Sequence, residues 1–449
     1  MSRTLTRGPL SLLVLLASAG CPEPTPTADV DWHRHAAPIV LATCAGCHTD
    51  GGVAPFALDS YETAAPLAGW IADTVAAQTM PPWGLGTSQE CSQERPVHGD
   101  PSLTDTQIET LRVWADNDAP LGDPSLAAPI PEAPTFSMSD PTRQILPESA
   151  YTVQGDGDDF RCVVYDPELT STVWITGMEV LPDATEVVHH ALVWLDQTGA
   201  SRALADEDGG YPCFGSGGIP DGKMIGGWVP SSGAVEYPEN SGLEAPPGSL
   251  VVVQYHYFGN GTDTPDSSAL NLRWTDSEPD QSVRIVLEGN ASTEAQGLQP
   301  GENDMGPPVF RIPAGDSRHT EVVRWQVPEG MPEARLFLVG PHMHLAGVEM
   351  NVRIERGGSG QEPENECLIH APRYDFNWQR LYRYDTPLEE VPRIQGGDAI
   401  LLECIYDNSL ENPRLREALT AASLSAPVDI FLGDGSLDEM CIAALGVVY

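Results

Sequence analysis

Basic residues are scarce in this chain of 449 residues, which has 23 lysines and arginines against 65 aspartates and glutamates. The formal charge of −42 and the pI near 4.3 repel nucleic acids and anionic lipid surfaces, which argues against both as partners. The acidic residues are scattered instead of forming one block, and this indicates solvated faces and loops. Such a charge is compatible with an exported protein that must stay in solution.

Long apolar runs are also missing after the N-terminus. The stretch LSLLVLLASAG, which follows Arg3 and Arg7, is too short for a stable transmembrane helix and predicts a signal peptide over residues 1–21. Small residues before Cys21 resemble a bacterial lipoprotein cleavage box, so we predict acylation of Cys21. An ordinary signal peptide with a nearby cut is the alternative. Residues 22–30, rich in Pro and Thr, predict an extended tether.

These features predict a location in the bacterial cell envelope, in the periplasm or at the outer membrane. The expected contact with a membrane is through the N-terminal lipid alone. Free thiols oxidise outside the cytoplasm, so each unpaired cysteine in an exported chain needs another role.

Two cysteines belong to a haem-attachment pattern. Cys44, Cys47 and His48 stand in TCAGCH, which matches C-x-x-C-H, where two thiols bind haem c and the histidine ligates the iron. Downstream, Met80 in AAQTMPPWG is the predicted sixth ligand, because the two following prolines fix a loop that turns the thioether inward. The alternatives are a redox C-x-x-C or half a zinc site, with Met80 in the core. Export and the Met-Pro loop favour haem c.

The residues around this pattern predict a small helical domain. YETAAPLAGWIADTVAAQ and LTDTQIETLRVWADNDAP have apolar residues at helical spacing, and Thr104 with Asp105 marks the start of the second helix. Residues 31–123 resemble the class I cytochrome c domains of exported bacterial proteins. The proline-rich residues 124–149 then predict a linker between domains.

Short β-rich runs separated by Gly, Pro and Asp clusters fill the rest of the chain. Among them are STVWITGMEVL, SLVVVQYHYFG, EARLFLVGPHMHL and AILLECIY. This punctuation predicts antiparallel sandwiches or barrels, and a region of this length favours two sandwiches, at 150–280 and 281–449. The predicted fold is multidomain, with a small all-α cytochrome c domain followed by two all-β antiparallel sandwiches.

Five histidines cluster on these predicted strands. His342 and His344 alternate, so their imidazoles share one face of a strand and can bind one metal ion. His189 and His190 are adjacent, and they can serve one ion only where the strand ends, twists or bulges. His256 on a neighbouring strand would then complete that site. A single histidine is usually a hydrogen-bonded core or edge residue, but three such groups in one β region indicate metal.

The softest donor of the region indicates which metal these histidines bind. Met440 begins the last apolar run of the chain. A methionine in that place is usually a core residue. As a ligand, however, its thioether selects copper over zinc, and imidazole suits copper as well. The sequence therefore favours copper.

Five segments together resemble one enzyme family. VVHHALVWL, VVQYHYFGN, PHMHLAG, GGDAILLECIYDNSLEN and GDGSLDEMCIAAL occur in order within residues 150–449. They are similar to segments of the copper type II ascorbate-dependent monooxygenases, the family of peptidylglycine α-hydroxylating monooxygenase and dopamine β-monooxygenase. The resemblance implies two jelly-roll-like sandwiches with one copper ion on each. It implies three ligands for the electron-transfer copper: His189, His190 and His256. It implies three for the copper at which O2 is activated: His342, His344 and Met440.

The same resemblance implies the function. We expect a copper-dependent monooxygenase that hydroxylates a C–H bond of a small organic substrate with O2. The fused haem c domain would supply or relay the electrons, taken from an ascorbate-like reductant, a quinol or a redox protein. The alternative is a non-enzymatic electron-transfer or copper-binding protein of the envelope. Retention of all six candidate copper ligands favours the enzyme, since an electron carrier needs no oxygen site.

The substrate does not follow from the resemblance. The peptide-processing branch of the family has polar residues beside the oxygen site, which anchor a substrate carboxylate. Gly340, Ile442 and Ala444 stand at the corresponding places here. A peptidylglycine substrate is therefore not expected, and nothing in the sequence supports a catecholamine.

The family pattern also implies disulfide bonds. It pairs Cys162 with Cys213 and Cys404 with Cys441, and each bridge would stiffen a loop near a copper ligand. Elimination leaves Cys91 and Cys367. A bridge between these two would clamp the cytochrome to the copper region, but the sequence does not decide whether it forms.

One further segment, RYDFNWQRLYRYD at residues 373–385, is dense in aromatics and arginine. Packing of a sheet surface on its neighbour is the favoured interpretation, because aromatic side chains dominate cores and interfaces. A wall of the substrate groove is the alternative. His98 lies much earlier in the chain and is predicted to be a surface residue.

Overall fold

The computed structural model describes residues 29–50, 54–82, 84–88, 91–92, 95–131, 137–213, 217–229, 232–290, 297–301, 304–357, 364–433, 435 and 437–449. The predicted signal peptide, most of the tether and Cys21 lie outside these residues. The described chain is mostly β-sheet with a few helices. No helix among the residues described has the length and apolar character needed to cross a bilayer.

The helices concentrate at the N-terminal end. A π-helical turn, Trp32–Ala36, leads into the first of five α-helices: α1 Ala37–Thr43, α2 Tyr61–Ala64, α3 Ala68–Ala76, α4 Asp105–Asp116 and α5 Pro413–Ala421. The strands comprise β1 Arg143–Ile145, β2 Tyr151–Val153, β3 Asp156–Tyr165, β4 Val173–Leu181, β5 Val188–Asp196, β6 Gly210–Pro212, β7 Lys223–Trp228, β8 Val235–Glu236, β9 Ser241–Ala245, β10 Leu250–Asn260, β11 Thr264–Asp266, β12 Ala269–Thr275, β13 Gln281–Asn290, β14 Arg311–Ile312, β15 His319–Gln326, β16 Ala334–His342, β17 Gly347–Glu355, β18 Asn365–Ala371, β19 Tyr382–Arg383, β20 Arg393–Ile394, β21 Ala399–Tyr406, β22 Ile430–Phe431 and β23 Cys441–Val448.

The described residues of 29–123, here called the helical unit, have a hydrophobic core of their own. Trp32, Leu111 and Trp114 are among its buried side chains. Helix α4 begins as predicted, because the Thr104 hydroxyl caps Gln107 N–H and the Gln107 side chain caps Thr104 N–H in return. The other predicted helix is broken into α2 and α3 by a 3-10 turn at Ala65–Leu67, where Pro66 cannot donate an internal hydrogen bond. Assignment of this unit as a cytochrome c domain stays a prediction.

The β region consists of antiparallel layers around two hydrophobic cores, consistent with β-sandwich domains. In the first β unit, strands β1, β12, β4, β8 and β9 share one core with the layer β7, β5, β10, β3 and β6. In the second β unit, β15, β21, β17 and β18 share the other core with β13, β23 and β16. The domain boundaries given above stay predictions.

One feature of this architecture was not predicted. The layers that contain the metal-ligand candidates are continuous, because β13 pairs with β7 through Ile285 opposite Met224 and with β23 from Val283 to Asn290. The two β units are therefore joined by backbone hydrogen bonds as well as by the chain. This continuity holds the candidate ligands of one unit in a fixed relation to those of the other.

Strand β10 lies at the centre of the first β unit, between β3 and β5. Its sequence LVVVQYHYFGN has β-branched and aromatic residues in succession, and eight consecutive side chains from Leu250 to Tyr257 are buried. Such an uninterrupted run is typical of a strand that is covered on both faces. Each of its buried valines contributes roughly 1.5–3 kcal/mol by leaving water, so β10 is a firm support for His256.

Three disulfide bonds are present among the described residues, and they indicate an exported or extracellular protein. They join Cys162 to Cys213, Cys404 to Cys441 and Cys91 to Cys367. The third settles the pairing that the sequence left open. It links the helical unit to β18 of the second β unit across a sequence separation of 276 residues.

Backbone contacts continue this attachment along the described residues of 84–100, here called the docking segment. Gly86 N–H donates to His370 O at 3.1 Å, and His98 N–H donates to Arg383 O at 2.8 Å. Val97 is buried in the core of the second β unit. His98 is half-buried and not a surface residue as predicted, because the docking segment carries it onto β19.

Removal of the Cys91–Cys367 bridge distinguishes the covalent attachment of the docking segment from its non-covalent packing. In the double variant Cys91→Ala, Cys367→Ala, the free energy of unfolding should fall by about 2–5 kcal/mol, measured by chemical denaturation. Proteolysis in the exposed stretch around Leu126 and Ile130 should give two fragments. On a denaturing, non-reducing gel these stay together in the parent protein and separate in the variant; separation in both would contradict the bridge.

Candidate metal centres

The first candidate centre lies where β5 and β10 pair irregularly. The two strands run in register from Asp196 to His190, which lies opposite His256, and then the register shifts so that Val188 lies opposite Tyr257. His189 is therefore the extra residue of a β-bulge, and a bulge re-aims a side chain that would otherwise point to the other face. The sequence argument required such a distortion, and the structure contains it.

This bulge brings three imidazoles together, here called the histidine triad: His189, His190 and His256. One ligand atom from each lies within 4.8 Å of the other two. The Nδ1 atom of His190 is 3.1 Å from Nδ1 of His189 and 3.4 Å from Nδ1 of His256. The triad thus has its nitrogen atoms directed at one point, as the ligands of a metal ion must be.

Residues of β3 orient the third member of the triad. The Asp158 carboxylate accepts a hydrogen bond from His256 Nε2–H at 2.7 Å, which directs the Nδ1 lone pair toward the other two histidines. Phe160 stacks on the His256 ring, with centroids 4.2 Å apart and planes 8° from parallel. The hydrogen bond to Asp158 and the stacking of Phe160 therefore hold the His256 ring in place without a bound metal.

Burial within the triad lowers the pKa of His190 well below its usual value, and the neighbouring imidazoles lower it further. The His190 ring is therefore neutral at ordinary pH. Neutral imidazole is the form that binds metal ions, so this ligand does not have to lose a proton first.

The second candidate centre, here called the His-Met cluster, comprises His342, His344 and Met440. The register of β16 on β23 places His342 opposite Ile442. His344 lies two residues after the end of β16, and Met440 directly precedes β23. The imidazoles of His342 and His344 have centroids 5.5 Å apart. His344 and Met440 are both buried, at 5% exposure each.

Both imidazoles of the His-Met cluster are held at Nδ1. His342 Nδ1–H donates to Gln379 Oε1 at 2.6 Å, and His344 Nδ1–H donates to the Asp438 carbonyl at 3.0 Å. The Nε2 atoms are therefore the ligand candidates, in contrast with the Nδ1 atoms of the triad. Burial, and the proximity of His344, lower the pKa of His342 to about 4, so this ring too is neutral at ordinary pH.

Glu439 is a site residue that sequence reasoning missed. It is fully buried, and its carboxylate accepts N–H bonds from His344 at 2.7 Å, Ala346 at 2.7 Å and Met440 at 3.2 Å. Glu439 therefore links the loop after β16 to Met440, the residue that directly precedes β23. Its position next to Met440 in DEMC was the available signal, but the loop that it binds is about ninety residues earlier in the chain.

One cavity of about 470 Å³ connects the two centres. Its walls include His190 and His256 of the triad together with all three members of the His-Met cluster. The segment 373–385 forms part of the wall through Phe376, Gln379, Arg380 and Leu381. That segment also packs against the cores of both β units through Leu381 and Phe376, as the packing interpretation predicted. A role of this wall in binding substrate stays a prediction.

The haem-attachment residues lie in the helical unit. Cys44 and Cys47 follow α1, and among the described cysteines they are the two that form no disulfide. His48 is 8% exposed and its Nδ1 lies 3.1 Å from the Phe56 carbonyl. Met80 is half-buried, in the loop that follows α3. Nothing here tests whether these residues bind haem.

Comparisons with known proteins give a distant relationship. No protein-family model matches the chain. MOXD1 homolog 2 of Drosophila melanogaster is 22% identical over 315 residues, which cover 66% of this chain and 38% of the relative. The chain thus spans less than half the length of that curated relative. The similarity is weak, and it supports the copper monooxygenase family at a coarse level.

Similar solved structures are less informative. The major capsid protein P2 from bacteriophage PM2 gives a TM-score of 0.25 at 7% identity, with 68% of this chain and 97% of that chain covered. A fucolectin from Morone saxatilis gives 0.17 at 7% identity, with 66% and 84% covered. Likenesses at these TM-scores carry no argument about fold or function.

The His-Met cluster predicts a selective effect of one substitution. Met440→Leu keeps the apolar volume but removes the thioether. We expect Cu(I) affinity at this centre to fall by more than the ~10- to 100-fold that loss of an outer partner costs, with the triad unaffected. Competitive titration with a Cu(I) chelator measures both affinities.

The matched control is Met343→Leu. Met343 lies between His342 and His344 in the chain, but its side chain is fully buried in the core of the second β unit. This variant should bind copper as the parent protein does. Equal loss of copper in both variants would show that packing, and not the thioether, matters at position 440.

Proposed function

We propose that this protein is a copper-dependent monooxygenase that hydroxylates a C–H bond of a small organic substrate with O2. The observation that carries the proposal is the shared cavity, in which imidazoles of the triad and the whole His-Met cluster face one space. An electron carrier has no need of two centres that open on one ligand-sized cavity, and ~300–1,000 Å³ is the usual volume of small-molecule sites.

The donor sets suit copper. Three imidazoles in one centre and two imidazoles with a thioether in the other are ligands that copper prefers in both of its common oxidation states. Copper, when bound, would supply one-electron redox chemistry and activation of O2. Asp158 and Gln379 would fix the orientation of the ligating imidazoles that they bind. Glu439 would hold the backbone of His344 and Met440 in place.

The stoichiometry of the reaction requires a reductant. One oxygen atom enters the C–H bond and the other leaves as water, so each turnover consumes O2, two electrons and two protons. The donor is an ascorbate-like reductant, a quinol or a redox protein. Oxidised donor is released as the second organic product when the donor is a small molecule.

The cavity wall indicates the class of substrate. Gly340, Ala444 and Ile442 line it beside His342, and a Cβ at residue 340 would clash with Leu381 Cδ2. This part of the wall is thus apolar and closely filled, and it favours a small, largely apolar group of the substrate. Arg380 and Arg383 supply positive charge elsewhere in the wall.

The helical unit is proposed to carry haem c and to supply or relay electrons. Cys44 and Cys47 form no disulfide bond among the described cysteines, which fits covalent attachment of haem. His48 Nδ1 is engaged by the Phe56 carbonyl, which leaves Nε2 as the ligand for iron, and Met80 would be the sixth ligand. Haem, when bound, would supply one-electron transfer.

The proposed location is the bacterial cell envelope, with the chain exported and attached through lipid on Cys21. The disulfide bonds support an oxidising compartment. The large negative charge disfavours nucleic acid as a partner and leaves the lipid as the proposed membrane contact.

The proposed reaction is tested with copper-reconstituted protein. We expect about two copper ions per haem, and Met440→Leu should lower this to about one. With a reductant and a panel of small apolar compounds, product formed under isotopically labelled O2 should contain one labelled oxygen atom per molecule. Stoichiometric copper with redox cycling but no labelled product from any compound would favour the electron-transfer alternative.

The haem relay is tested separately by His48→Ala. This variant should lose turnover with quinol or redox-protein donors, because electrons from large or membrane-bound donors would enter through the haem. Turnover with ascorbate, which can reach copper directly, should remain. The optical spectrum reports haem loss independently of turnover. Unchanged rates with every donor would contradict the relay.

A further inference from the structure

The two candidate centres are bridged by one aromatic side chain, Phe376. Its ring centroid lies 6.0 Å from that of His189, 6.3 Å from His190 and 6.4 Å from His256. It also lies 5.7 Å from the ring of His344. One ring is therefore a neighbour of every member of the triad and of the His-Met cluster. The rings of His189 and His344 cannot be further apart than the sum of their distances to Phe376.

The main chain around Phe376 is anchored to the His-Met cluster itself. The Tyr374 hydroxyl donates to Met343 O at 2.6 Å and accepts from Met343 N–H at 3.0 Å. Asp375 pairs with Arg414 at 3.1 Å. Gln379, three residues after Phe376, holds His342. The short 3-10 turn Phe376–Trp378 is thus fixed before and after the ring.

Shape and polarity indicate what the ring does there. A phenyl ring has no hydrogen-bonding group, and the part of the cavity wall that it fills beside these imidazoles would otherwise admit water. Its centroid lies within 6.4 Å of rings from both centres, so a shift of either centre toward the ring requires the ring to move. The contacts to His189 and His190 are with residues of the bulge, which is the irregular and therefore the more adjustable part of β5.

We propose that Phe376 is a positioning residue for the pair of metal centres. Its ring fixes the distance between the histidine triad and the His-Met cluster and keeps water out of the volume that it occupies beside their imidazoles. This inference rests on the two-copper function proposed above. It assigns to segment 373–385 a role in coupling the centres in addition to its role in the cavity wall.

The test uses the full-length protein loaded with Cu(II), after metal analysis has shown the copper content of each variant. Pulsed dipolar EPR measures the distribution of copper–copper distances, and deuterium modulation in heavy water measures solvent near each copper. The variants are Phe376→Ala, which removes the ring, and Phe376→Tyr, which retains it. The control is Phe258→Ala, since Phe258 is 55% exposed, lies two residues from His256 and is not part of the cavity wall.

We expect a single narrow distance distribution in the parent protein. Phe376→Ala should broaden it and add a longer component, and should increase deuterium modulation. Phe376→Tyr and Phe258→Ala should match the parent protein. If Phe376→Ala does not fold, Phe376→Leu carries the test, because it keeps apolar bulk but not the ring's reach to both centres.

Two adverse outcomes are distinguishable. If all variants bind two copper ions and the distance distribution and deuterium modulation of Phe376→Ala or Phe376→Leu match those of the parent protein, the inference about Phe376 is wrong and the proposed function stands. If the parent protein binds no stoichiometric copper, the proposed function is wrong, and the inference about Phe376, which rests on it, is wrong as well.

Discussion

The irregular pairing of β5 with β10 is the constraint on which the candidate chemistry depends. In a regular strand, His189 and His190 would point to opposite faces of the sheet, and no single ion could bind both. The one-residue shift between His256 and Tyr257 removes that prohibition. The bulge survives because its surroundings are rigid: β10 is buried over eight consecutive residues and is paired on both sides.

The second candidate centre depends on regular strand geometry, whereas the first depends on a β-bulge. His342 and His344 need only the ordinary alternation of a strand end, and Met440 directly precedes β23, the strand that pairs with β16. Glu439 then joins the two chain segments through backbone N–H groups. The continuous sheet through β13 connects this arrangement to the first β unit. The bulge between β5 and β10 and the regular pairing of β16 with β23 therefore both contribute to the walls of one cavity.

Local patterns in the sequence were sufficient for several features. The strand runs, the start of α4 at Thr104 and the need for a distortion at His189 all follow from residue periodicity or capping chemistry, which act over a few residues. The disulfide pairs Cys162–Cys213 and Cys404–Cys441, which the family resemblance implied, are present.

The remaining features depend on contacts between distant segments, and no local pattern encodes them. Gln379 and Phe376 follow the H-x-H pair by more than thirty residues, and nothing in their own neighbourhood shows that the chain returns to the metal centres. His98 and Cys91 belong to a docking segment whose partners lie near residues 367–385. Prediction of such residues requires the fold, because sequence spacing alone does not rank which surfaces meet.

Because of the docking segment, any exchange between the helical unit and the β units is a unimolecular process and not a bimolecular one. A disulfide bond, backbone hydrogen bonds and the burial of Val97 hold the two parts in one orientation. Their encounter is therefore intramolecular, with an effective concentration set by geometry and not by how much protein is present. Dilution cannot separate them, and a competing soluble carrier would have to act against a neighbour that never diffuses away.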